Sequence, residues 1–295
     1  MKRIVITVVV AAVAALGIVP ATAFASSGTL YSSLAPPQGN IPSVGFEATQ
    51  ASEFGNEITL KHAGKITSVT VTMSSWGCQT GGWSTMNCVS AKDAEFTEPV
   101  TLNIYNAPAT NPSTQPDIVG SGLPGTLIKS VTKTFTIPYR PSMSPKCATT
   151  TAYGGAGDWY DKANHQCFAG FMTNIKFNVN ATLPQTIVFG IAYNTTHYGY
   201  SPIGEGSACY TSSGGCGYDS LNVGLSLDPN NVKVGSDPYP GTVWWNTKTA
   251  SYYCDGGLAG TGTFRFDSPS TPPCWGDASP YTSAPWDVPS VMFTS

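Results

Sequence analysis

The chain has 295 residues, a formal charge of −3, only 11% charged side chains and no basic cluster, so it lacks the electrostatic footprint that a phosphate backbone demands. Nucleic acid is excluded as an expected partner. Its 31 glycines and 23 prolines, interleaved with Thr, Ser and Asn, favour short strands joined by turns over helices.

Lys2 and Arg3 precede an apolar run from Ile4 to Val19, and Ala23-Phe24-Ala25 supplies a small-x-small cleavage pattern before Ser26. Residues 1–25 therefore read as an export signal, and no later stretch is long and apolar enough to cross a bilayer as a helix. The mature chain is expected to be secreted, with no membrane partner after cleavage. Residues 26–43 read as a Pro-containing lead, and 44–295 as a single domain.

Along that domain, Val44–Thr49 and Glu57–Leu60 are short strand candidates, and Ser68–Ser74 alternates apolar and hydroxyl residues as a half-buried antiparallel strand does. Val100–Tyr105, Leu127–Ile137 and Asn174–Val179 repeat the pattern. Ile187–Asn194 differs, because Ile187, Phe189, Ile191 and Tyr193 on one parity face away from Val188, Gly190 and Ala192 on the other, which is the pattern of a central strand covered on both faces. It opens into the polar and aromatic loop Asn194–Tyr200. Leu221–Leu227, Val243–Trp245, Thr263–Phe266 and Val288–Phe293 follow. Many short strands and no sustained helical period predict an all-β fold, a two-sheet antiparallel β-sandwich, jelly-roll-like, with disulfide-stapled loops.

Eight cysteines lie beyond the export signal, and an even number in an exported chain reads as disulfides. Spacing alone leaves the connectivity open, but four close couples suggest Cys78–Cys88, Cys147–Cys167, Cys209–Cys216 and Cys254–Cys274. Zinc is disfavoured for want of any Cys-x-x-Cys or paired His spacing, and no residue set requires a cofactor.

The stretches Gly45-Phe46, Phe54-Gly55-Asn56-Glu57-Ile58-Thr59-Leu60, Gly64–Val71, Leu102–Tyr105 and Pro124–Leu127 resemble the extracellular β-sandwich modules of bacterial surface proteins called choice-of-anchor domains. The resemblance spans about residues 45–140. It implies an exported sandwich and carries over no functional residue; the C-terminal Pro289–Ser295 shows no anchoring tail of the kind those proteins usually have.

Three histidines, His62, His165 and His197, limit nucleophilic chemistry. His197 with Asp219 and Ser201 or Ser220 is the one set that flanking strands would bring together, but Gly199-Tyr200-Ser201-Pro202-Ile203-Gly204 misses the Gly-x-Ser-x-Gly elbow by one residue. Among Glu47, Glu53, Asp158, Asp161, Glu205, Asp219 and Asp255, spacing selects no pair for glycoside hydrolysis. Asp228-Pro229-Asn230-Asn231 with Asp237, or Asp158 with Asp161, offers oxygens to calcium without matching its loop, and reads better as turns. Asn180-Ala181-Thr182 and Asn194-Thr195-Thr196 match the N-glycosylation pattern, which carries little meaning in a bacterial setting.

Aromatic residues give the clearest hint. Trp76, Trp83, Trp159, Tyr160 and Trp275 lie in or beside the cysteine loops, Trp245 ends a short apolar run, and Asn194, Asp219 and Asn222 sit at the edge of the central strand pair. Indole faces that stack on sugar C–H groups, with amides and carboxylates for the hydroxyls, on loops held by disulfides, predict a glycan or cell-wall polysaccharide as ligand. Against this stands a reading in which the loops bury their indoles as small cores of their own. A structural surface protein without a small ligand and a secreted glycoside hydrolase are the alternative functions.

Overall fold

The computed structural model describes residues 28–110, 122–147, 155–205, 215–226, 232–239, 243–253, 257, 260–266 and 288–295. The expected export signal lies outside them. In chain order the strands are β1 (Thr29–Ser32), β2 (Ser43–Gly45), β3 (Ala51–Thr59), β4 (Gly64–Ser75), β5 (Glu95–Asn106), β6 (Leu127–Pro138), β7 (Trp159–Asp161), β8 (Gln166–Phe168), β9 (Phe171–Leu183), β10 (Thr186–Ala192), β11 (Leu221–Gly224), β12 (Trp244–Thr247), β13 (Arg265–Phe266) and β14 (Val291–Thr294). One helical turn, α1 (Phe46–Thr49), follows β2, where the sequence pattern suggested that the strand runs on.

Twelve of the strands form two antiparallel sheets packed as a sandwich, and β7 and β8 pair apart from them as a two-stranded ribbon. The first runs β1-β14-β4-β11-β2, with β9 along the other edge of β4, and the second runs β13-β12-β3-β10-β5-β6. The order interleaves the two ends of the chain: β1 pairs with β14, from Thr29 opposite Thr294 to Ser32 opposite Met292. The segment expected as a lead is thus part of the sheet, and Leu30 and Tyr31 are buried in the core.

Alternation decides which side chains enter that core. On β10, Ile187, Phe189 and Ile191 point inward and join Phe54 and Ile58 of β3, Val100, Leu102 and Ile104 of β5, and Val69, Val71 and Met73 of β4. Each fully buried aliphatic or aromatic side chain contributes about 1.5–3 kcal/mol. β10 is flanked by β3 and β5 along its length, as expected of a central strand. Its inward series ends at Tyr193, stacked on Phe46 at 3.9 Å and donating its phenol to the Leu221 carbonyl at 2.5 Å, which ties the loop end of the second sheet to the first.

Two disulfides have both partners among the described residues, Cys78–Cys88 and Cys147–Cys167. They match the expected couples and mark an oxidising compartment. Cys216 is disulfide-bonded as well; Cys209, Cys254 and Cys274 lie outside the described residues. Among the described residues no helix is long and apolar enough to cross a membrane.

Candidate functional site

Strand parity places the outward side chains of the second sheet in register. Across the sheet, Asn103 of β5, Gly190 of β10, Gly55 of β3 and Trp244 of β12 stand opposite one another in turn. The next row holds Thr101, Ala192, Glu53 and Asn246, and the row on the other side holds Tyr105, Val188 and Glu57. Two glycines side by side in core strands leave a low floor. Glu53 uses it: a β-carbon on Gly190 would lie 2.1 Å from Glu53 Oε1.

The carboxyl of Glu53 is fully buried although it faces outward. Asn103 Nδ2 and the Tyr105 hydroxyl donate to Oε1 at 2.9 and 3.0 Å, and the Tyr200 hydroxyl donates to Oε2. Asn246 Nδ2 donates to the Tyr200 oxygen at 3.1 Å, and Ser130 Oγ to Asn103 Oδ1 at 2.7 Å. Burial pushes the Glu53 carboxyl upward while its donors pull it back. The phenols of Tyr105 and Tyr200 are driven well above their ordinary range by burial and by the Glu53 charge, so both remain donors. Tyr200 arrives from the loop after β10 with its hydroxyl held in this network and 59% of the residue exposed. On the other flank Tyr105 packs on Phe264, which joins Val188, Trp244 and Phe266 in a small outer cluster.

The loop carrying Tyr200 is fixed at its root by carboxylates. Glu47 of α1 accepts from Thr195 Oγ1 at 2.6 Å and from His197 Nδ1 at 2.5 Å. Asp219 accepts from the Thr196 N–H at 2.7 Å, Thr196 Oγ1 at 2.6 Å and the Cys216 N–H at 2.9 Å. Its hydrogen bonds go to the loop and not to an imidazole, so the set of His197, Asp219 and Ser201 or Ser220 is not assembled. The Ser201 N–H binds Asn194 Oδ1 instead. The hydrogen bond to Glu47, and then its charge, raise the His197 imidazole and favour the cation.

The stapled loops do converge, but mostly as a core. Trp159 is buried against Phe168 and Phe171 and donates to the Gly170 carbonyl at 2.6 Å. Trp76 packs over the same glycine, donates to Ser74 Oγ, and meets Trp83 edge-on at 4.7 Å. Among these indoles Trp83 keeps an open face, being 42% exposed. Tyr160 is half-buried beside His165 Nδ1, 3.2 Å away. Trp245 lies inside the sandwich against Phe54, so neither it nor Trp159 presents a ring to a ligand. Asn222 donates to Ser43 Oγ, and Asp219 and Asn194 serve the loop root as described, so these three act inside the fold. Trp275 lies outside the described residues, as do Asp255 and Asp228–Asn231.

Metal chemistry finds no support among the described residues, where no three His, Cys, Asp or Glu side chains are placed to hold an ion. Asp158 accepts from the Gly155 N–H and Asp161 from Ala163 and Asn164 as local turn contacts, and Asp237 accepts from the Tyr239 N–H within its own turn and from Asn56 Nδ2 of β3.

Of the outer-face network, the sequence reading named Glu53 only as one acid among many, and it missed Asn103, Tyr105, Tyr200 and Asn246. A usable signal was present: Gly190 and Gly55, interior to two apolar strands, mark a close approach over the sheet. No family model, curated protein or solved structure matches the chain.

Proposed function

We infer that the chain is an exported binding protein that takes an extracellular glycan, with cell-wall polysaccharide the leading class, on the outer face of its second sheet. One observation carries the reading. Tyr200 offers a largely open aromatic ring whose hydroxyl is fixed by Glu53 and Asn246, so the ring needs no ordering before a sugar stacks on it. Farther along the same outer face the exposed hydroxyls of Ser130 and Thr132, with half-buried Asn103 and Thr101, supply neutral donors and acceptors. Hydrolysis has less in its favour, because Glu53 is occupied by three donors and no second acid is paired with it in the network.

Pull-down on wall preparations and a glycan array test the reading. Tyr200→Ala is expected to weaken binding about tenfold or more, a loss of about 1.4 kcal/mol. Undiminished binding by that variant would move the site elsewhere, and no binding to any polymer would end the glycan reading.

A second reading, a surface protein that works by assembly, draws on the open apolar side chains Trp83, Met86, Val89 and Met143 around the Cys78–Cys88 loop. Sedimentation over a concentration series separates it from the first.

A further inference from the structure

Glu98 is the one acid on β5 whose parity turns it into the sandwich. It precedes the inward series Val100, Leu102 and Ile104, its residue is fully buried, and neither carboxyl oxygen has a hydrogen-bond partner. An ionised carboxylate left so would face a desolvation cost of several kcal/mol. The groups that face it are the Tyr193 ring and Asn194 backbone at the end of β10, and Tyr218 and Asp219 of the 3-10 turn Gly217–Ser220. None of these is a cation. The Asn194 backbone N–H favours the charge from outside good hydrogen-bond geometry, the Asp219 carboxylate opposes it to a smaller degree, and burial outweighs both.

These neighbours are the root of the loop that carries Tyr200. Tyr193 begins it, Asp219 clips Thr196, and Glu47 clips Thr195 and His197. We propose that Glu98 is a proton-operated catch: with its carboxyl neutral the loop 193–205 closes over the end of the sandwich, and loss of that proton releases it. Charge on Glu98 demands either water or a donor, and both routes separate Tyr193 and the 217–220 turn from β5. The catch does not depend on what the loop binds, but any ligand that uses Tyr200 inherits its pH dependence.

The direction follows from linkage. Burial first, and Asp219 to a smaller degree, push the Glu98 carboxyl up to about 8, whereas an open loop returns it to the ordinary carboxylate range. The closed state is therefore favoured fully in acid and loses that advantage progressively as pH rises from the ordinary carboxylate range toward 8. His197 acts in the same direction, because the cation that Glu47 favours is also lost on raising the pH.

Amide hydrogen exchange of residues 193–205 in the whole chain, corrected for intrinsic rates, reads the opening equilibrium. One proton linked to closure makes opening rise about tenfold per pH unit between pH 5 and 7. Glu98→Gln is expected to remove most of that slope, and His197→Gln to leave most of it. An unchanged slope in Glu98→Gln would overturn the catch. Should that variant fold poorly, carbon-detected NMR of the wild-type Glu98 carboxyl decides the matter: a midpoint lifted clear of the ordinary carboxylate range, with exchange of 193–205 rising as the carboxyl ionises, supports it, and a midpoint near 4.5 sinks it.

Discussion

Glu53 and Gly190 occupy one space on the outer face of the second sheet, where a β-carbon on the glycine would stand 2.1 Å from Oε1 and 2.7 Å from both Cγ and Cδ of the glutamate. Gly190→Ala must therefore displace a carboxyl that Asn103, Tyr105 and Tyr200 hold from three sides. The expected cost is about 2 kcal/mol in urea denaturation, from overpacking and lost hydrogen bonds. Gly55→Ala should cost more, because its added carbon meets the Phe189 carbonyl oxygen at 1.7 Å and backbone cannot swing aside. Two variants of wild-type stability would show that the floor is not tightly packed.

Tyr200 separates ring from hydroxyl. Tyr200→Phe leaves Glu53 Oε2 without this donor and Asn246 Nδ2 without this acceptor, so stability should fall by about 1–2 kcal/mol. Glycan affinity should stay within about threefold of wild type, since the stacking face survives. Calorimetric affinity and thermal melting, measured on the same preparations, check the two halves independently. An affinity loss as large as that of Tyr200→Ala would assign the recognition to the hydroxyl.

A second pair of acids makes stability depend on pH. The segment from Val232 to Tyr239 straps the sandwich edge, pairing Val234 with Ser32 of β1 and Ser236 with Thr59 of β3. On it Asp237 faces Glu57 of β3, whose Oε2 is buried without a partner. Burial and the Asp237 charge push Glu57 up to about 7, and burial pushes Asp237 up to about 6. Both shifts are upward, so the stabilisation is complete below the ordinary carboxylate range and declines as pH rises toward 7. The fold should be on the order of 2 kcal/mol more stable at pH 5 than at pH 8 through this pair. Glu57→Gln should flatten the profile and raise stability at pH 8. Guanidinium titrations of both proteins at the two pH values would expose a reversed or absent trend.

The scaffold was more legible than the site. Both parities of Ile187–Ala192 are apolar or small, which only a strand covered on both faces tolerates, and β10 is that strand. Cys78–Cys88 and Cys147–Cys167 were legible because each closes a short loop. By contrast, Thr29–Ser32 carries no pattern of its own and becomes a strand through Val291–Thr294 at the far end of the chain. β3 was half hidden because Glu53 and Glu57 interrupt its apolar series, and both prove buried. The tryptophans misled for a related reason: an indole beside a cysteine looks the same in sequence whether its loop turns outward or folds back on Gly170. Tyr200 reaches Glu53 from 147 residues away, and no local rule connects them.

Arg140 makes the two stapled loops one body. Its backbone N–H donates to the Gly77 carbonyl beside Cys78 at 3.0 Å, and its Nη2 donates to the Gly157 carbonyl inside the Cys147–Cys167 loop at 2.5 Å. Ser90 and Ser142 add a reciprocal pair between the same strands of chain, and the Met143 N–H reaches the Cys88 carbonyl. The guanidinium is fully buried with Nη1 unpartnered, and burial pulls it down to about 10 while Asp158 nearby favours its charge. Arg140→Ala should therefore cost about 3 kcal/mol, through an unfilled volume, an orphaned Gly157 carbonyl and an Asp158 without its counter-charge. Arg140→Met keeps most of the volume and removes the buried charge, so its cost should be about half as large. Both disulfides should still form, and thiol titration of the variants confirms that covalent closure is not what was lost. Under those conditions faster proteolysis at residues 155–165 in Arg140→Ala is the expected outcome. Loops that keep wild-type resistance would be independent of the arginine, each held by its own disulfide.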